Sequence, residues 1–537
     1  MLFNSSLMVA QAQESSNVEI SCAMSAKSNQ SQEKTVIVIG GGLGGLSAAI
    51  RLVKKGFAVS LFERSSTVGG KCRVENFEGY SFDTGPSLLT LPAVYRDLFL
   101  KTGAPLESEL TLSPVDPAFD YHFASGKRLT LPNASRAGVA EAIESAFGEE
   151  RAKEWVALMN RAEAMWDVSR EPFVESELRG FLPLLRRPGF LSSLKIISPF
   201  TSLRTMAKRY LNSPELITLV DRYATYTGSD PRKAPAVLLT IAYIEQIFGA
   251  WHIEGGIGEL SSALERRAKE LGVNIHLNSE VRSITTSKNR ATGIILDSGE
   301  ELMASHIISN VDAEFTYEKL LSHASKGIRE RRKLKRATPS FSGFYLLLGL
   351  KGRDVNQRHH TVSFPEDYDA EFDALFKSLT PVTDPTLYIC SPQDLSMSPS
   401  PNHESWFVLV NAPRQSGNSN NGKKSDGFDW RAPGVAQRYS EHLVDLLVAR
   451  GLLDKSRIET LTYRSPADIE ELFNAPGGSI YGKSSNGARA AFNRASNRSP
   501  LEGLYLVGGS AHPGGGVPLV GISGEIVANV ISSAPSK

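Results

Sequence analysis

The sequence predicts an α/β protein organised around a discontinuous Rossmann-type dinucleotide-binding domain, with a second, mixed-sheet domain inserted into it. Three observations predict this. Residues 34–64 run strand, glycine turn, helix, strand; short strands between residues 272 and 309 lead back to that unit; and residues 504–531 repeat strand, glycine loop and helix at the far end of the chain.

In the first unit, Thr35, Val36, Ile37, Val38 and Ile39 form an apolar, β-branched run, and Gly40, Gly42 and Gly45 follow at G-x-G-x-x-G spacing before an amphipathic stretch and a second apolar run ending at Phe62. Each glycine has its own purpose: Gly40 makes the turn, Gly42 lets backbone N–H groups approach a pyrophosphate, and Gly45 lets helix and strand pack closely. The anion then sits at a helix N-terminus, where unpaired N–H groups and the dipole favour it. Glu63 closes the second strand, where an acidic side chain accepts hydrogen bonds from a ribose.

At 537 residues the chain can form two or three domains, and 59 Lys plus Arg against 58 Asp plus Glu leave no global field for nucleic acid. Cys22, Cys72 and Cys390 are too few and too scattered for a disulfide framework or a zinc site, so no metal is expected. Residues 1–33 lack apolar periodicity and read as a disordered tail without a signal or transit pattern. No apolar run is long enough for a transmembrane helix.

Next, Gly69-Gly70 with Lys71 and Arg73 forms a loop suited to a second phosphate or ribityl region, followed by a hairpin strand over residues 77–82. Residues 34–90 make the first part of the dinucleotide domain, and 91–250 a substrate or helical region with a hairpin at Ser125-Gly126. Within it, residues 180–203 interleave Phe190, Leu191, Ile196, Ile197 and Phe200 with Arg186, Arg187 and Lys195, the composition of an interfacial, membrane-facing helical segment; an interdomain core helix is the other reading. Residues 251–312 form the second part of the dinucleotide domain. Residues 313–464 form the substrate domain, with strong strands over 341–350 and 405–412 and a polar, low-complexity loop over 414–429.

Residues 465–537 supply the third part: strand, a loop from Gly508 to Pro518, and a helix. A second glycine unit so late in the chain suits the two-headed flavin dinucleotide, FAD, with the N-terminal unit holding the ADP half. His512 is the titratable catalytic candidate in that loop; a structural histidine bonded to backbone is the alternative. A bound flavin would supply a hydride acceptor, leaving the protein to position its substrate and exclude water.

The segments VIVIGGGLGGLSAA, GGKCR, FDTGPS and GLYLVGGSAHPGGGVP together resemble the phytoene desaturase family of carotenoid desaturases, within the flavin amine oxidase fold, over nearly the whole chain. The resemblance implies non-covalent FAD contacted by Gly40, Gly42, Gly44, Gly45, Glu63, Arg64, Gly70, Lys71, Val281, Gly509 and Val517. It also implies desaturation of a linear carotenoid such as phytoene at a membrane surface, at a cytoplasmic face or in a plastid, with a quinone or oxygen as electron acceptor. Lys71 stands where arginine is common, and Leu519 where relatives acting on phytoene often carry glycine. A desaturase, oxidase or isomerase of an already modified carotenoid, or a non-catalytic isoprenoid escort of the same fold, therefore stays open.

Overall fold

The computed structural model describes residues 34–417 and 426–533. The tail expected over residues 1–33, and residues 418–425 of the expected polar loop, lie outside the described residues.

A five-stranded parallel sheet is assembled from four distant stretches of chain, in the order Leu504–Leu506, His306–Ser309, Thr35–Ile39, Ala58–Phe62, Asn274–His276. Its central strand is apolar throughout because both faces are covered. Val36 and Val38 pack with the helices Leu43–Lys54, Gly258–Glu270 and Val517–Ser532, while Ile37 and Ile39 pack towards a three-stranded antiparallel sheet of Val281–Ser287, Arg290–Leu296 and Glu301–Met303. Residues 301–309 hold two strands, Glu301–Met303 and His306–Ser309, one in each of these sheets.

The second sheet has seven strands in the order Ile458–Arg464, Ser342–Lys351, His403–Ala412, Leu387–Cys390, His360–Ser363, Phe119–His122, Arg128–Leu131. It is mixed: Phe119–His122 runs parallel to His360–Ser363, and the other pairs are antiparallel. This pairing draws the hairpin near residue 125 into the same sheet as residues 342–464. Along Ser342–Lys351, Phe344, Leu346, Leu348 and Leu350 face a core with the helix Val435–Ala449, whereas Tyr345 and Leu347 face the opposite way, towards Tyr80, Phe82 and Phe407. That second face looks towards the dinucleotide sheet. Helices Glu149–Arg170, Leu203–Tyr210, Pro214–Arg222 and Leu239–Phe248 surround Trp155 and close the end of the substrate domain.

The expected interfacial segment departs from expectation in its helical part. Residues 180–203 do not form an apolar helix but two short ones, Phe181–Leu185 and Phe190–Ile197. Pro188 lacks an N–H to continue the first, and left-handed Gly189 and Ser198 bracket the second. No helix among the described residues is long and apolar enough to cross a membrane.

Candidate functional site

At the dinucleotide end, Gly40 turns the chain at φ +94°, and the helix Leu43–Lys54 begins at Gly42 without a side-chain cap, so its first-turn N–H groups are available to a ligand. A Cβ on Gly42 would stand 2.8 Å from Asn310 Nδ2, and one on Gly45 would stand 2.4 Å from the Gly40 carbonyl oxygen. The first glycine keeps a cradle open, and the other lets the helix seat against the turn. Glu63 is buried at the strand end, its carboxylate accepting from the Gly41 N–H at 2.7 Å and the Ser65 N–H at 2.9 Å.

At the other end, the helix Val517–Ser532 begins at Gly516, again without a side-chain cap. Its N-terminus and that of Leu43–Lys54 open on one cavity of about 350 Å³, giving two positive dipole ends in one site. Lys71 crosses the cavity wall to donate to the carbonyls of Ser479 and Ile480, both at 3.0 Å. Burial lowers the Lys71 pKa, opposed by Asp312; burial raises that of Asp312, opposed by Lys71. Each ion therefore partly offsets the desolvation of the other. Arg64 donates to Asn474 Oδ1 at 3.2 Å and to the Leu472 carbonyl at 2.5 Å, tying the end of the ribose-side strand to the stretch that follows the strand Ile458–Arg464.

Of the residues singled out from sequence, Gly40, Gly42, Gly44, Glu63, Arg64, Gly70, Lys71, Val281, Gly509 and Val517 line this cavity, and Gly45 stands behind it. His512 lines neither this cavity nor the larger one beside it. Its Nε2 lies 2.9 Å from the Ser176 carbonyl oxygen, and burial pushes its pKa down to about 4. A neutral ring donating to backbone is what the structure places there. Sequence reasoning missed Asn310, Tyr345, Phe407 and Tyr481, which also line the cavity; none belongs to a recognisable spacing.

The second cavity holds about 1190 Å³. Its walls are Trp166 from Glu149–Arg170, Phe190, Leu194 and Ile197 from Phe190–Ile197, Ile241, Ile244 and Phe248 from Leu239–Phe248, and Leu519 and Ile522 from the C-terminal helix. Gly515 lines both cavities. A Cβ there would come within 2.5 Å of Tyr481 Cδ1, so glycine lets the Tyr481 ring pack against the backbone where the two cavities meet.

The sequence profile of the flavin-containing amine oxidoreductases matches residues 43–334. The chain belongs to this flavin-dependent family. Like its family, it is an FAD-dependent oxidoreductase. It is 32% identical over 509 residues to a 4,4'-diapolycopene oxygenase of Methylomonas sp, covering 94% of this chain and 99% of that one. It is also 32% identical over 507 residues to a hydroxyneurosporene desaturase of Rubrivivax gelatinosus, covering 92% and 93%. Solved structures share the fold: an oxidoreductase from Methanosarcina mazei at TM-score 0.59 and 18% identity (92% of this chain, 99% of that one), and wild-type putrescine oxidase bound to putrescine at 0.60 and 15% (93% and 99%). The residues present fit FAD: an uncapped helix start cradled at Gly42, a carboxylate at the strand end, and a second uncapped helix start suit pyrophosphate, ribose and an electron-rich ring edge, respectively.

Proposed function

We propose that this flavoprotein oxidises a linear carotenoid, removing two hydrogens at a time from a chain laid in the larger cavity with its reacting carbon at Gly515. The observation that carries this is the meeting of a long apolar cavity with the cofactor cavity at that one glycine. The bound flavin supplies the two-electron acceptor. The chain's own contribution is positional: Trp166, Ile241, Ile244 and Leu519 exclude water and fix the depth of the polyene, while Lys71 and Asp312 hold the cofactor side in a buried, charge-balanced setting. A quinone or oxygen takes the electrons onward. The names of the relatives, an oxygenase of diapolycopene and a desaturase of hydroxyneurosporene, favour a substrate already desaturated or hydroxylated over phytoene itself.

Incubating the FAD-loaded protein in liposomes with phytoene and, separately, with hydroxylated or partly desaturated linear carotenoids tests the reading. An oxidised product is expected from the modified substrates, made with a quinone or air and without pyridine nucleotide. Turnover of phytoene alone would restore the simpler desaturase reading, and no change in any polyene would favour the escort role.

Delivery from a membrane surface is part of the same proposal. Leu191 is 80% and Phe200 94% exposed, and they stand with the half-exposed Leu185 beside Arg186, Arg187 and Lys195 near the cavity wall. Apolar side chains flanked by basic ones suit shallow insertion among lipid headgroups. Phe190 is half-buried in the cavity wall and Ile196 packs on the core, whereas Leu191 and Phe200 are exposed, Phe200 while also lining the cavity, so the exposed pair is the one to alter. Leu191→Asp with Phe200→Asp should lower flotation with liposomes at least about tenfold at unchanged FAD content; equal flotation would remove the membrane contact.

A further inference from the structure

We propose that His359, His360 and Cys390 form a metal site that takes a borderline-soft cation, Zn²⁺ being the reference ion. Ring nitrogens of the two histidines and Cys390 Sγ all lie within 4.8 Å of one another. The fold makes this cluster from residues far apart in sequence. His360 and Cys390 are direct partners across the antiparallel pair His360–Ser363 and Leu387–Cys390, so their side chains emerge on the same face, and His359 precedes the strand by one residue.

Two further observations point to a ligand. His360 is fully buried, yet its Nε2 has no hydrogen-bond partner, and neither has Nε2 of His359. A buried polar atom left unpaired is costly, and two of them on rings that each bring a nitrogen close to a thiol are an arrangement a cation would relieve. Meanwhile, Nδ1 of His360 is 2.8 Å from Tyr388 Oη, which in turn lies 2.7 Å from Ser87 Oγ. A histidine whose Nδ1–H is held by an oxygen keeps its Nε2 lone pair free, as metal-ligating imidazoles do. On the open side, the His359 ring meets His252 at 5.0 Å between centroids, and Asp394 accepts from His252 at 3.0 Å, adding a carboxylate beside the site.

A tetrahedral zinc ion with two nitrogen ligands and one sulfur ligand sets its donors about 3.5 Å apart, so the cluster must close by roughly 1 Å. His359 lies just outside the strand with its carbonyl accepting from the Ser391 N–H at 2.8 Å, so rotation of its ring rather than movement of its backbone makes that adjustment. Binding replaces the Cys390 S–H bond by a metal–thiolate bond and releases one proton to solvent. Water completes the fourth position. Phe407, the other cross-strand neighbour of Cys390, lines the cofactor cavity, so the ion would brace the sheet one strand behind the cavity wall.

The test uses the FAD-loaded full chain, freed of metal with a chelator and titrated first with Co²⁺ and then with Zn²⁺. Tetrahedral cobalt bands at wavelengths beyond the flavin absorption, saturating at about one equivalent per chain and displaced by Zn²⁺, are the expected result. Cys390→Ala and His359→Ala should each weaken binding by more than the about 10- to 100-fold typical of an outer-shell partner, while Cys72→Ala keeps the bands. FAD content reports folding in every variant, and His359→Ala, at the strand end, serves if Cys390→Ala does not fold. No cobalt band in the wild type, or binding unchanged in a folded Cys390→Ala or His359→Ala protein, would overturn the site.

Discussion

Gly42→Val is expected to yield a folded chain that has lost FAD. The added side chain fills the cradle beside Asn310 Nδ2 and holds the pyrophosphate off the first turn of Leu43–Lys54. Losing two charge-assisted hydrogen bonds from backbone N–H groups costs about 4 kcal/mol, roughly a thousandfold in affinity. Titrating apoprotein with FAD measures it, with circular dichroism as the check on folding. Binding at wild-type affinity would mean that this loop does not hold the pyrophosphate.

Ile241→Trp should do the reverse: keep the cofactor and lose the substrate. Ile241 lies on Leu239–Phe248 and faces the larger cavity, outside the set that lines the cofactor cavity. An indole there displaces the equivalent of about four methylenes of bound chain, at about 0.8 kcal/mol each. That is about 3 kcal/mol, or roughly a hundredfold in kcat/KM. Unchanged kcat/KM at full FAD content would move the substrate out of this cavity.

Much of the dinucleotide unit was legible because its signals are local. A β-branched run, three glycines at fixed spacing and an acidic strand end each report their own backbone needs, and residues 35–62 fold as that pattern implies. The rest depends on long-range pairing, to which no window of sequence is sensitive. Asn310 sits against the glycine loop only because His306–Ser309 adds to Thr35–Ile39. Likewise, Cys390 meets two histidines only through the register of one ladder, so three cysteines that look scattered along the chain place one of their number in a cluster.

His512 shows the opposite failure, in which adjacency in sequence suggested adjacency in space. It lies within the glycine loop, but Asn497 Nδ2 and Ser523 Oγ hold its carbonyl at 2.7 and 2.8 Å while its ring reaches Ser176. The backbone is fixed so that Gly508, Gly509, Gly515 and Gly516 line the cavity at the two helix starts and the ring faces away. Residues 180–203 carried an interfacial composition, yet prolines and left-handed residues broke it into short helices whose side chains divide between cavity wall and solvent.

In the proposed reaction an apolar chain meets the flavin at Gly515 and is oxidised there. The most direct measurement is a single anaerobic turnover: FAD-loaded protein is mixed with a hydroxylated or partly desaturated linear carotenoid, and the extracted polyene is quantified against bound FAD. Up to one two-electron-oxidised product per FAD is expected without acceptor, with continued turnover once a quinone is added, and both roughly a hundredfold slower in Ile241→Trp at sub-saturating carotenoid. A polyene recovered with its hydrogen count unchanged, whether intact or isomerised, would contradict that reaction.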